Sequence, residues 1–243
     1  LPVSVLREVA LTLRPPLGDR HGPLVPMLVA LTFLTGLVDA VSYLMLGHVF
    51  VANMTGNVVF LGFALAGASG LSAVASLIAL LAFLLGALAG GWLGSREAHR
   101  ARLLRNANAG QATLIALGLV IALVAPEPLS EGVRYGLIVV LAVAMGVQNA
   151  AAQRLAVPEL TTTVLTRTLT GIASEASFLG GAGSQIGRRG LAVAMMLLGA
   201  LAGALLALHV SVAATLVLAL ALSTGIGLAA SAVSSSDAAW TRG

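Results

Sequence analysis

The chain carries no cysteine and no lysine, and charged residues make up only 9% of it. The first absence removes thiolate chemistry and disulfides and leaves the redox compartment unmarked. The second removes the phosphate-cradling Gly-rich lysine loop. Sparse charge beside 58% hydrophobic residues and a mean hydropathy of +1.02 excludes an ordinary soluble domain. His21 lies near the start, and His48, His99 and His209 are scattered at the ends of apolar runs. No metal-ligand spacing results, so neither a metal nor a cofactor is expected. A Ser-His-Asp elbow and an HExxH motif are also missing, and the chain is read as not an enzyme.

All thirteen basic residues are arginine. Most lie between apolar segments, where they meet lipid phosphates and set orientation. Nucleic acid would need one contiguous basic face and is not an expected partner, whereas the lipid bilayer is.

What the chain has in abundance is long apolar runs. Residues 25–46 form the first span, opened by Pro26 and closed near Gly47. A shorter apolar piece covers 53–67, and a span over 71–94 ends at Gly94. The loop from Ser95 to Arg105 holds four arginines and His99. Further spans cover 110–125 and 133–153, separated by Pro126-Glu127-Pro128. The segment 161–178 is Thr-rich and contains Arg167 and Glu175, which suits a lipid-facing helix poorly. Residues 191–231 hold no Asp, Glu or Arg. That is too long for one crossing of about 30 Å at about 1.5 Å per residue, so two helices turn near His209 to Ser211. Residues 1–24 contain Arg7, Arg14 and Arg20 with Pro15, Pro16 and Pro23, lack a separate apolar core and cleavage site, and read as a basic, poorly ordered cytoplasmic arm.

If both short segments crossed, the eight spans would put the arginine-rich loop opposite the basic arm, against the positive-inside rule. If each returns to the face it left, six spans remain. The arm, the loop at 96–105, Arg154, Arg188, Arg189 and Arg242 then share the cytoplasmic side. The alternative is that both are ordinary short or tilted helices in a plain bundle.

The two halves resemble each other. Leu-Leu-Gly-Ala-Leu-Ala-Gly occurs at 84–90 and at 197–203, an offset of 113. Upstream, Gly36-Leu37-Val38-Asp39-Ala40 answers Gly146-Val147-Gln148-Asn149-Ala150 at 110, and Ala52-Asn53-Met54-Thr55 answers Thr163-Val164-Leu165-Thr166 at 111. Matches in one order with small insertions are what a duplication predicts. Three spans per copy force the second copy to insert upside down, an architecture recurrent in transporters. Gly86, Gly90, Gly199 and Gly203, four apart in each copy, read as close-packing faces.

Asp39 lies close to the middle of the first span, where a carboxylate costs on the order of 2.5–3.5 kcal/mol and needs a cavity or a partner. Its equivalent is Asn149, and Arg167 is the candidate cationic partner; a purely structural Asp39–Arg167 pair is the plainer reading. Asn53, Thr55, Gly56 and Asn57 open the first short helix, and Thr161, Thr162, Thr163 and Thr166 open the second. Free amides at two such starts suit a polar or anionic group, although the same residues also serve as ordinary caps. An anion at the helix starts and a cation at Asp39 both remain open.

With Gly36-Leu37-Val38-Asp39-Ala40-Val41-Ser42-Tyr43-Leu44 followed by Val49-Phe50-Val51-Ala52-Asn53-Met54-Thr55-Gly56-Asn57, the chain resembles the YoaK-like family of bacterial membrane proteins. The resemblance extends over roughly 25–230, including Leu160 to Thr166. It implies a multi-pass protein of the bacterial cytoplasmic membrane and no established substrate or reaction. The chain departs from the family pattern at Arg167, where glycine follows the second-copy threonine.

The expected fold is thus all-α: six spans, two short or re-entrant helices and two inverted three-span repeats. The division is an arm at 1–24, a first repeat at 25–125, a second at 133–231 and a tail at 232–243, with both termini cytoplasmic. The expected function is a transporter or channel for a small solute or ion, with a polar centre at the repeat interface. The competing class is a non-transporting scaffold with a sealed core, whose glycine faces mediate association, for instance into a homo-oligomer.

Overall fold

A computed structural model describes residues 2–16, 18–126, 128–158, 160, 165–174 and 186–241. In chain order the helices are α1 (Pro2–Leu13), α2 (Leu24–Met45), α3 (Met54–Leu65), α4 (Ala73–Arg96), α5 (Arg100–Val124), α6 (Glu131–Leu155), α7 (Leu165–Ser174), α8 (Ile186–His209) and α9 (Val212–Ala232), followed by a 3-10 turn at Ala239–Thr241. Several starts are fixed by side-chain caps: Ser72, Ser130 and Ser211 accept from the amides of Ala75, Val133 and Ala214. These bonds satisfy amides that a helix start otherwise leaves orphaned.

Helices α2, α4, α5, α6, α8 and α9 are each long and apolar enough to cross a membrane. Side-chain register fixes their directions. Phe33 lies against Gly199 and Leu37 against Gly203, so α2 and α8 run parallel. Val143 lies against Gly86 and Val147 against Gly90, so α4 and α6 run parallel as well. Gln111 meets Gln148 while Gly118 meets Leu141, which makes α5 antiparallel to α6. Arg105 reaches Ser234 and Asn108 reaches Ser223, which makes α9 antiparallel to α5. Consequently α2, α5 and α8 leave one end of the bundle and α4, α6 and α9 return to it. That end carries Arg20, Arg96, Arg100, Arg154, Arg188 and Arg189; Arg134 stands at the other.

The segment from 46 to 72 therefore departs from and rejoins the same end, and so does the segment from 156 to 185. Helix α3 thus does not cross, and α6 ends where α8 begins, as six spans require.

Helices α2 and α6 sit at the centre, and the other four long helices turn apolar faces outward, including Leu84, Leu88, Val120, Leu123, Leu197 and Leu201. Such a surface is what lipid tails accept and water does not. Between helices, contact rests on small residues. A β-carbon on Gly86 would overlap the Val143 carbonyl, and one on Gly199 the Phe33 carbonyl. Likewise one on Gly146 would overlap the Phe83 carbonyl, and one on Gly36 the Met196 carbonyl. Close backbone approach of this kind is how membrane helices gain packing energy without a hydrophobic driving force. The glycine faces are thus consumed within the chain and are not available to mediate association.

Three boundaries depart from expectation. Helix α5 begins at Arg100, ten residues before the expected 110, because arginine and asparagine are tolerated in a helix whose first turns emerge from the apolar layer. α8 begins at Ile186, ahead of 191, for the same reason. The expected poorly ordered arm is instead largely helical: α1 packs on α8, where Glu8 Oε2 accepts from the Gly187 amide at 2.8 Å. A carboxylate at a helix start satisfies an orphaned amide and opposes the dipole favourably.

Candidate functional site

After α2 the chain reverses through Gly47 and His48, both in the left-handed region at φ 117° and 57°. It then re-enters the bundle alongside the helix it has just left. Asp39 makes that return possible. Its Oδ1 accepts from the amides of Val51 and Ala52 at 3.0 and 2.8 Å, and its Oδ2 accepts from Asn53 Nδ2 at 2.6 Å. An irregular backbone inside an apolar layer must find partners within the protein, and one buried carboxylate supplies three. Asn57 secures the next stretch, with Oδ1 accepting from the Phe50 amide at 2.9 Å and Nδ2 donating to the Phe50 carbonyl at 2.5 Å. Gly56 leaves room for the Phe50 ring, which a β-carbon would meet at 2.7 Å. Tyr43, Phe50 and Phe60 stack around the turn with centroids 5.1–5.8 Å apart.

α3 then climbs back toward the end it came from, only 12 residues long. Asn53 precedes its first turn but makes no side-chain cap, and its Nδ2 points to Asp39. The first-turn amides are left uncapped by side chains.

A cavity of about 920 Å³ opens beside this start. Its wall includes Asn53 and Thr55 from the first short helix and Thr166 from the second, with Asn149, Gln153 and Arg154 from α6. Thr55 and Thr166 are the positions related by the offset of 111. The first turns of both short helices therefore meet one space. Among the described residues no acidic side chain lines it.

Asp39 is 3% exposed and is not on the wall. Its role is to hold the turn that presents Asn53 and Thr55. Gly56 and Asn57 shape the same turn from behind it. Asn149 donates to the Met145 carbonyl at 2.9 Å and does line the cavity. Thr161, Thr162, Thr163 and Glu175 lie outside the described residues, as does the side chain of Arg167, whose backbone belongs to α7.

Sequence reasoning missed Gln153 and Arg154 as cavity residues. It also missed a buried ladder in which Gln111 donates to Gln148 at 2.5 Å and Gln148 to Thr35 at 2.9 Å. These three side chains are 0–2% exposed, so they tie α5, α6 and α2 together away from water. Their only signal is that two glutamines interrupt apolar spans. Among the described residues no group of three His, Asp or Glu converges as a metal site.

Six apolar helices around buried polar backbone define a polytopic α-helical membrane protein. The chain belongs to the family described as protein of unknown function (DUF1275), whose profile matches residues 27–229. It is 32% identical over 151 residues to the UPF0700 transmembrane protein YoaK of Bacillus subtilis (strain 168), covering 62% of this chain and 66% of that one. No solved structure matches.

Proposed function

We propose that the chain is a transporter or channel for a small polar solute, built from two inverted copies of a three-span unit in the bacterial cytoplasmic membrane, with the arginine-rich end and both termini on the cytoplasmic side. The observation that carries this reading is the single cavity shared by the first turns of α3 and α7. Short helices that begin inside the apolar layer next to a polar space are the arrangement by which transporters hold solutes.

Inversion is supported by arithmetic on the contacts. Gly36 against Met196 becomes Gly146 against Phe83 when the two halves are exchanged, at offsets of 110 and 113. Gly199 against Phe33 becomes Gly86 against Val143 in the same way. The related helices α2 and α6 point in opposite directions, each being fixed by the α5 and α9 registers. Orientation is supported by the gathering of arginine at one end. No reaction chemistry is part of this reading.

Water access tests it. Because the chain has no cysteine, Asn53→Cys and Thr166→Cys each introduce one thiol. In nanodiscs both should react with a neutral, water-soluble thiosulfonate. Inertness at both positions in folded protein would close the path.

A sealed scaffold is the second reading, favoured by the dry Gln111–Gln148–Thr35 ladder and by exposed Val58, Val59, Phe63 and Leu65 on α3. It predicts that inertness.

A further inference from the structure

We infer that the solute is a small anion and that Arg154 is the residue that selects it; the inference rests on the solute-path reading above. Arg154 is the last-turn arginine of α6, and it lines two cavities at once. One is the space of about 920 Å³ at the short-helix starts. The other, of about 970 Å³, opens at the arginine-rich end, with Arg20, Arg96 and Arg100 on its wall. Among the described residues Arg154 is the only one common to both walls, so a solute moving between the two would meet its guanidinium.

Among the described residues the charge along that route is net positive. Among the described residues of the inner space Arg154 is the only charged one on the wall, and the rest of their polar lining is asparagine, glutamine and threonine. In the outer space the two carboxylates are turned to backbone. Asp19 Oδ1 accepts from the amides of His21 and Gly22 at 2.8 and 2.9 Å, and Glu97 Oε1 accepts from the His99 amide at 3.4 Å. Four arginines face those two committed acids. Low-dielectric walls around a net positive charge concentrate anions and disfavour cations.

Arg154 is held in place without being neutralised. Its Nε donates to the Gly94 carbonyl at 3.2 Å, and the side chain lies across Gly94 so closely that a β-carbon there would meet Cγ, Cδ and Nε at 3.1–3.3 Å. Among the described residues no carboxylate pairs with it, and its terminal nitrogens are left for a solute. A guanidinium with exposed terminal nitrogens recognises carboxylate, phosphate and similar oxyanions well. The position is also one-sided: subtracting the repeat offset of 110 from 154 gives Leu44, and subtracting 113 from the second-half Ala207 gives Gly94. A residue needed only for packing the seam between halves would have a counterpart at the other end, and this one has none.

The test compares two thiosulfonates of matched size, one bearing a sulfonate and one a quaternary ammonium, at Thr166→Cys in nanodiscs of uncharged lipid. Their rate ratio is normalised to that for a free thiol in solution. An anion path makes the sulfonate reagent favoured by about tenfold or more, the scale on which a charged, low-dielectric cleft steers ions. Arg154→Gln should return the ratio to the free-thiol value, and Arg154→Lys should keep part of the preference. Gly94→Val, which leaves the charge in the sequence but displaces the side chain, should fall between them. A parent ratio equal to that of the free thiol, or favouring the ammonium, overturns the anion inference while leaving a solute path standing. Should the neutral reagent fail as well, the path itself falls. If Arg154→Gln does not fold, the parent ratio and the Gly94→Val ratio decide.

Discussion

Asn53 Nδ2 donates to Asp39 Oδ2 at 2.6 Å, and the Asn53 side chain makes no cap on the helix it introduces. One carboxylate thereby anchors a returning stretch of chain just ahead of α3. Asp39→Ala strands the Val51 and Ala52 amides and the Asn53 side chain, each buried donor costing about 1–3 kcal/mol. Asp39→Asn keeps one acceptor oxygen and costs less. Thermal unfolding in detergent should rank the parent above Asp39→Asn and Asp39→Ala lowest. Proteolysis between 46 and 53 should appear first in the alanine variant. Equal midpoints for all three would remove the anchoring role.

Glycine substitutions along the two seams should come in matched pairs. Gly86→Val and Gly199→Val each drive a side chain into backbone, which costs about 1–3 kcal/mol or more because helices must separate. Gly62→Ala and Gly91→Ala meet nothing within 4 Å and should be neutral or better. Resistance to unfolding by a denaturing detergent measures all four. Unequal losses within the pair would argue against the exchange symmetry of the contacts.

The glutamine ladder makes a different prediction. Gln148→Leu leaves Gln111 and Thr35 without their shared partner and should lower stability by about 1–2 kcal/mol, whereas Gln111→Leu with Gln148→Leu should recover much of the loss. A double-mutant cycle on unfolding midpoints supplies the coupling. Strict additivity would mean that the two side chains do not act together.

The arginine-rich end should respond to pH through His21. Burial and the Arg100 guanidinium, whose NH2 lies 3.1 Å from His21 Nδ1, hold its pKa below the ordinary 6.5. The unfolded chain then takes up a proton before the folded one does, so stability contributed by His21 is complete above about pH 6.5 and declines as pH falls through the lower folded value. His21→Gln should flatten that decline in thermal midpoint between about pH 8 and about pH 5. An unchanged slope would show that His21 is not its source.

Sidedness is testable in the same cysteine-free background. Ser69→Cys and Ser95→Cys, exposed at opposite ends of the bundle, should be modified from opposite faces of the membrane, with Ser95→Cys protected in intact spheroplasts. The reverse pattern would invert the orientation proposed here.

The spans were legible because uninterrupted apolar runs admit few alternatives, and the return of both short segments followed from where arginine can sit. Asp39 stood out because a carboxylate inside a span needs a partner. That partner could not be read, since backbone amides leave no trace in residue identity and Asp39 could as well have met a cation. Arg154 was legible only as an interfacial charge, because nothing in the order of residues places Gly94 under its side chain. The glycine faces were recognised as packing surfaces, but which helices they touch depends on the parallel pairing of α2 with α8 and of α4 with α6. α1 escaped because arginine and proline nearby outweighed a helix that gains its hold only by docking on α8.

That parallel pairing carries a mechanical consequence. Since α2 belongs with α8 and α4 with α6, each half is laced into the other along seams where backbone touches backbone. Two such halves cannot rock apart as rigid jaws without tearing both seams. For the transport reading proposed above, alternating exposure of the shared cavity would have to come from movement of α3 and α7 within a frame that stays laced.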